Sequence, residues 1–166
     1  MYKLIAQLQK TNMATLSNPT FQVDTLTGMP SDYRVWGTVT VGLTPFENSL
    51  IQMGYPLYLQ SNIWADDTSS IALAEGPSPS DYRNNTDELI FAYFANQPIT
   101  GPGTYTVSAI IPRWVLDEDN YWSGERDEAY NTFYLESRSN PFSSYIDDSI
   151  FNIWTRSPTV TGIAGT

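Results

Sequence analysis

The residues of this chain best suited to chemistry are its acidic clusters: Asp66-Asp67, Asp117-Glu118-Asp119, Asp127-Glu128 and Asp147-Asp148. Each is expected beside a strand end. A hard cation such as calcium takes about six to eight oxygen ligands, and loops gathered at one end of a β-sheet protein can supply them. None of the clusters has the spaced D-x-D-x-D-G pattern of a calcium loop, and adjacent acids on a strand point to opposite sides. A calcium site would therefore need Asp66 and Asp67 to converge with Asp117 and Asp119 from a separate loop; a solvated acidic rim that blunts sheet edges is the competing reading. Glycoside hydrolysis needs two carboxylates at a set separation, one with a raised pKa. With eighteen acids in the chain, some pair always meets a distance criterion, so that signal has little weight.

What is missing narrows the chemistry further. The chain has no histidine and no cysteine. Those absences exclude a Ser-His-Asp triad, a cysteine nucleophile, a disulfide framework, and zinc, copper or haem sites built on either residue. No Gly-x-Ser-x-Gly elbow, phosphate loop or dinucleotide fingerprint occurs. The expectation is a protein that is not an enzyme and needs no cofactor, with calcium the one ion its side chains could hold.

Aromatic residues are the stronger functional lead. Five tryptophans and eleven tyrosines exceed what a core of this size requires, and exposed Trp and Tyr stack on sugar rings or anchor protein interfaces. Between Arg113 and Leu135 the tip Tyr121-Trp122-Ser123-Gly124 reads as an exposed loop, flanked by Asn120, Glu125 and Arg126. These five polar and aromatic positions, Asn120, Tyr121, Trp122, Glu125 and Arg126, together with Trp36, form the candidate contact set. Arg113 or Arg126 would meet a neighbour's carboxylates. Trp64, Trp114 and Trp154 are assigned to the core.

The charge balance limits the partners. Eight basic residues against eighteen acidic ones give a formal charge of −10, with no basic stripe for nucleic acid and repulsion from anionic membrane surfaces. No apolar stretch approaches the length of a transmembrane helix. The opening MYKLIAQLQK lacks the apolar core of a secretory signal. Only 16% of residues are charged, so Ser, Thr, Asn, Gln and Tyr supply most of the remaining polarity. Partners that fit such a surface are other protein subunits, copies of the chain itself, or neutral glycans.

Strands must position these residues. Period-two alternation sets Val35, Val39, Val41 and Leu43 on one face of YRVWGTVTVGL and Trp36, Thr38 and Thr40 on the other; Tyr105, Val107, Ala109 and Ile111 share a face in TYTVSAII. YKLIAQL, YPLYLQSNIW, NTFYL and SIFNIWT add further segments, and ELIFAYFA, apolar on both faces, reads as a central strand. Turn signals at Leu26-Thr27-Gly28, Gly54, Gly76-Pro77, Gly101-Pro102-Gly103, Asn140-Pro141 and Ser157-Pro158 separate them. One helical stretch is expected at TPFENSLIQM, where Thr44 caps and Glu47 closes a capping box. The near-uncharged termini, MYKLIAQLQ and TVTGIAGT, suit strand addition to a neighbour or edge strands of their own domain, the second being the commoner case.

PSDYR occurs at Pro30–Arg34 and again at Pro79–Arg83, and at the same offset Gly54 falls on Gly103. Either a supersecondary unit is duplicated, or ordinary turn chemistry repeats by chance. GTYTVSAIIP resembles a late strand of immunoglobulin-like sandwiches, a pattern too generic to transfer function. The expected fold is all-β: one antiparallel β-sandwich over residues 1–166, jelly-roll or immunoglobulin-like, with an internal two-fold duplication as one reading of the echo. The expected role is a non-enzymatic subunit of a virion (capsid-decoration, tail or fibre) or another extracellular assembly without a signal peptide, and otherwise a cytoplasmic protein. The alternative is a carbohydrate-binding, lectin-like module, with or without calcium.

Overall fold

In the computed structural model the described residues are 14–65, 89–116, 127–137 and 153–163, with backbone alone described for 89–96, 127 and 137. Eight strands and one helix cover them: β1 (Thr15–Leu26), β2 (Met29–Gly42), α1 (Pro45–Gln52), β3 (Leu57–Ala65), β4 (Leu89–Ile99), β5 (Gly103–Pro112), β6 (Asp127–Ser137), β7 (Trp154–Arg156) and β8 (Val160–Ile163). The fold is all-β. A three-stranded sheet runs β1-β2-β5; a five-stranded one runs β4-β3-β6-β7, with β8 also paired to β6. Every pairing is antiparallel.

Alternation in β2 is carried through to burial. Tyr33, Val35, Gly37, Val39 and Val41 are buried, and the residues between them are half-buried or exposed. They face β3 and β6 of the other sheet in two apolar clusters. Val39, Val41 and Val107 meet Leu57, Leu59, Phe133 and Leu135. Phe21, Tyr33, Val35 and Ile111 meet Ile63, Ala129 and Ile163. Each such side chain, fully buried, contributes roughly 1.5–3 kcal/mol relative to exposure.

Between the clusters lies a polar waist. Along each strand its level falls between the apolar residues: Gly37 between Val35 and Val39, Ser61 between Leu59 and Ile63, Asn131 between Ala129 and Phe133. The Ser61 hydroxyl donates to Asn131 Oδ1. Asn131 N–H donates to Ser157 Oγ at 3.0 Å, and Ser157 N–H donates to the Asn131 carbonyl at 2.9 Å. Asn131 Nδ2 is buried without a hydrogen-bond partner. Gly37 is required here by space: a Cβ would lie 2.4 Å from the Thr20 carbonyl and 3.0 Å from Asn131 Nδ2 and the Phe133 ring.

The helix forms where the capping signal predicts it. Thr44 Oγ1 accepts from Glu47 N–H at 3.2 Å, and Glu47 Oε2 accepts from Thr44 N–H at 2.8 Å, completing the capping box. The buried Glu47 carboxylate also accepts from Ala14 N–H at 2.9 Å, tying the start of β1 to the helix. At the other end Gly54, at φ 91°, takes the left-handed position. Its N–H reaches the Ile51 carbonyl, and Tyr55 N–H reaches the Leu50 carbonyl, the double bond of a Schellman stop.

Three expectations are corrected. Thr15–Leu26, with no strand expected, is β1; Asn18, at φ 51°, and Pro19 interrupt its alternation at a bulge between Ser17 and Thr20. ELIFAYFA falls in β4, at the margin of its sheet among the described strands, while β3 and β6 are buried on both faces. Trp114 is not core: it is 70% exposed in a 3-10 turn at Arg113–Val115, a tight bend that sends Val115 and Leu116 inward instead. Trp64 is buried and Trp154 is half-buried. Val160–Ile163 pairs within its own chain, as the commoner reading had it; MYKLIAQLQ lies outside the described residues.

The repeated PSDYR finds a partial echo in the topology. The strand holding the first copy, β2, pairs with β5, and β4, which follows the second copy, pairs with β3. Carried over at the sequence offset, the β2–β5 register would set Leu57 against Asp87; its partner is Ile99. A uniform offset does not describe both ladders, and Pro79–Arg83 lies outside the described residues.

Candidate functional site

Of the expected site residues, Trp36 is the one within the described residues; Asn120, Tyr121, Trp122, Glu125, Arg126, Asp66, Asp67, Asp117 and Asp119 lie outside them. Trp36 stands on the face of the three-stranded sheet opposite the core. The register places it between Gln22 of β1 and Ser108 of β5. On the same face are Thr20, Asp24, Asp32, Arg34, Thr38, Thr40, Thr104, Thr106 and Ile110, because side chains two apart on a strand share a side.

This face is rich in hydroxyls, and its charged members are Asp24, Asp32 and Arg34. Thr20 and Thr38 bond through their hydroxyls at 2.7 Å, and Thr40 and Thr104 at 3.2 Å. The half-buried Trp36 ring is oriented by its own Nε1–H, which donates to Asp24 Oδ2 at 2.7 Å. Asp24 sits directly across from Arg34 in the β1–β2 ladder. Such a surface offers one oriented ring, a set of hydroxyl and amide donors and acceptors, and no nucleophile–base arrangement. Among the described residues no group of three or more acidic, histidine or cysteine side chains could hold a metal ion.

Large apolar side chains gather toward one end of this sheet. Ile110, 58% exposed, pairs with Arg34 near the end of β5, and the exposed Trp114 follows in the turn that packs beside β2. Met29, at the hairpin tip of β1 and β2, is exposed as well. Arg113 does not reach outward from this turn: its guanidinium lies 4.6 Å from the centroid of the Tyr33 ring, and its Nε is buried without a partner. Trp114 reads as core because it sits in the apolar run AIIPRWVL, whereas the alternation that sets Ile111 inward already places Ile110 on the outer face. The signal available was Pro112, which ends the strand and its alternation.

The five-stranded sheet has a second aromatic and polar face, turned away from the core. Tyr58, Gln60, Asn62 and Trp64 of β3 lie on it beside Tyr130, Thr132, Tyr134 and Glu136 of β6. Trp64 Nε1–H donates to Thr132 Oγ1 at 2.9 Å, Asn62 Nδ2 to the Tyr134 hydroxyl at 3.4 Å, and Gln60 Nε2 to the Glu136 carboxylate. Arg156 of β7 lies over the Tyr130 ring, 3.6 Å from its centroid, and donates to Thr159 Oγ1 at 2.9 Å. Gln60, Asn62, Trp64, Tyr130, Thr132 and Tyr134 are all buried. Despite its composition, this is interior.

No family model matches the chain, and no curated protein matches it. Among solved structures the chain is similar to a protein described as ApaA from Bordetella pertussis, with 11% identity, 90% of each chain covered and a TM-score of 0.27. A likeness at that score carries no weight for fold or function.

Proposed function

We propose that the chain is a non-enzymatic interaction subunit of a larger extracellular assembly, with a virion capsid-decoration, tail or fibre protein as the class of assembly. Its contact surface is the open face of the three-stranded sheet and the end where Ile110 and Trp114 stand. The observation that supports this reading is the exposure of Trp114 and Ile110 beside a hydroxyl-rich face. Large exposed apolar side chains grouped at one end of a sheet suit a contact surface, and Trp is among the residue types enriched in interface hot spots.

The test is incorporation. Source material is fractionated by size and the chain located with its companions, then Trp114→Asp and Trp36→Ala variants are offered for assembly. Support comes from a stable complex with companion proteins that excludes folded Trp114→Asp. A chain that never leaves monomer mass and has no companions overturns the proposal, as do variants that enter as well as the wild type.

One observation favours glycan binding as the second reading: Trp36 is held by Asp24 on a flat face flanked by Gln22 and Ser108, as a sugar-stacking platform requires. A glycan array probed with and without calcium decides it. Binding abolished by Trp36→Ala supports it, and an array blank under both conditions rejects it.

A further inference from the structure

We infer that the outer edge of β5 is a self-association edge, at which a second copy of the chain adds its own β5 antiparallel about a two-fold axis at Ala109. The inference rests on the reading of the chain as an interaction subunit and names one of its partners.

Among the described strands β1 and β5 are the margins of the three-stranded sheet, and the two are treated differently. β1 carries devices that block edge pairing: a bulge between Ser17 and Thr20, Asn18 at φ 51°, Pro19 with no N–H, and the charge of Asp24. β5 has no bulge and no charge, and its single proline, Pro112, stands at the end of the strand. Its ladder with β2 runs from Gly103 to Pro112 without a slip, and no residue of that span is charged. In a chain of net charge −10, an uncharged strand is the one that can lie against its own copy without opposing carboxylates.

The direction of the backbone groups follows from two hydrogen bonds. Thr38 N–H donates to Thr20 Oγ1 at 3.0 Å, so the Thr38 backbone faces β1, and Thr106 opposite it belongs to a pair that exchanges no ladder bonds. From the far side, Gln97 Nε2 donates to the Thr106 carbonyl at 3.4 Å. The backbone groups of Thr106, Ser108 and Ile110, and the carbonyl of Pro112, therefore point away from β2. Thr106, Ser108, Ile110 and Pro112 are exposed.

Those groups also set the register. The Thr106 carbonyl is already taken by Gln97, and Pro112 has no N–H to give. Setting Thr106 against Pro112 of the second copy puts the occupied acceptor opposite the missing donor, and Thr106 N–H still reaches the Pro112 carbonyl. Ser108 then exchanges both bonds with Ile110 of the second copy, and the two Ala109 residues face each other. The two exposed Ile110 side chains become diagonal neighbours on the outer face and cover one another. The edge is complementary to itself, which is what a closed two-fold interface requires.

The chain has no cysteine, so a single Ala109→Cys variant gives a clean readout. Directly opposed residues of a pair without ladder bonds have Cα atoms about 4.5 Å apart, within disulfide reach. Mild oxidation is expected to yield a covalent dimer of Ala109→Cys and little of Thr104→Cys, although Thr104 is the more exposed. Sedimentation velocity gives an independent test. The wild type should show a concentration-dependent dimer, and Ser108→Pro, which removes an outward N–H from both copies while leaving the β2 ladder intact, should weaken it about tenfold or more. Ile110→Lys should do the same, with the fold of each variant checked by its melting curve.

A wild type that stays monomeric at high micromolar concentration overturns the inference, as does equal cross-linking at Thr104 or a dimer indifferent to both substitutions. A chain that is monomeric alone yet enters a complex with companions leaves the interaction-subunit reading standing without this edge. A β5-edge dimer with no companions leaves the edge standing without that reading.

Discussion

The two outward faces of this molecule are built from nearly the same residue types and behave as opposites. On the three-stranded sheet, Trp36 stands among Gln22, Thr38 and Ser108, half-exposed, its indole bonded to Asp24 in a solvent-exposed pair. On the five-stranded sheet, Trp64 stands among Asn62, Thr132 and Tyr134, 3% exposed, its indole bonded to Thr132 out of water. A tryptophan, hydroxyls and amides occur in both, so composition alone does not tell a contact surface from an interior. What separates them is the partnering of the polar groups. Buried ones must find each other, and the amide–hydroxyl and amide–carboxylate pairs of β3 and β6 do so across the ladder; exposed ones can be left to water.

The largest effect that would break this contrast is expected at Trp64. Trp64→Ala removes a fully buried ring together with the donor to Thr132, and should lower stability by about 3–5 kcal/mol, read from the urea midpoint. A loss below about 1 kcal/mol, the range of exposed substitutions, would mean that the second face is not interior. Next comes the waist between the sheets. Gly37→Ala forces a methyl group against the Thr20 carbonyl, a backbone atom that cannot swing aside. A cost of about 1–3 kcal/mol is expected, with β1 the element displaced, which amide exchange at Gln22 and Asp24 would report. Thr132→Val keeps the shape of the buried face and removes the acceptor of Trp64 Nε1–H. An unsatisfied buried donor costs about 1–3 kcal/mol, and the red shift of Trp64 fluorescence on unfolding gives the probe.

How much of this was readable in the chain depends on whether a strand has one wet face. β2 alternates cleanly, so its core face from Val35 to Leu43 and its outward face with Trp36 follow from period two. α1 is bounded by Thr44, Glu47 and Gly54, whose side chains or φ act within one turn, and such local chemistry is visible without any tertiary context. β1 was lost because Asn18-Pro19 reads as a turn; the bulge shifts the inward side from Leu16 to Phe21, an odd step that defeats a period-two search. β3 and β6 bury both faces, and Asn62, Thr132 and Asn131 look like surface residues until their partners across the ladder are known. ELIFAYFA reads as central because apolarity on both faces is the pattern of an interior strand, yet among the described strands β4 stands at the margin of its sheet. The acidic–aromatic tip from Asn120 to Arg126 stays an expectation outside the described residues, and the site rests on Trp36.

The smallest expected effect sharpens the comparison most. Trp36→Phe keeps a flat ring on the open face and deletes only the Nε1–H that reaches Asp24. The bond is solvent-exposed, and each group can take water in exchange, so the net stabilisation of this pair is small despite its 2.7 Å length. The urea midpoint should stay within about 0.5 kcal/mol of the wild type, the range of surface changes away from special features. The ring, released from Asp24, loses its fixed orientation instead, and a binding function of the face would lose affinity while stability stays level. That dissociation of binding from stability is the mark of a contact residue, and Trp64 cannot show it, because any change there unfolds the sheet first. If Trp36→Phe cost as much as Thr132→Val, the indole of the open face would belong to the scaffold, and the two faces would differ in burial but not in kind.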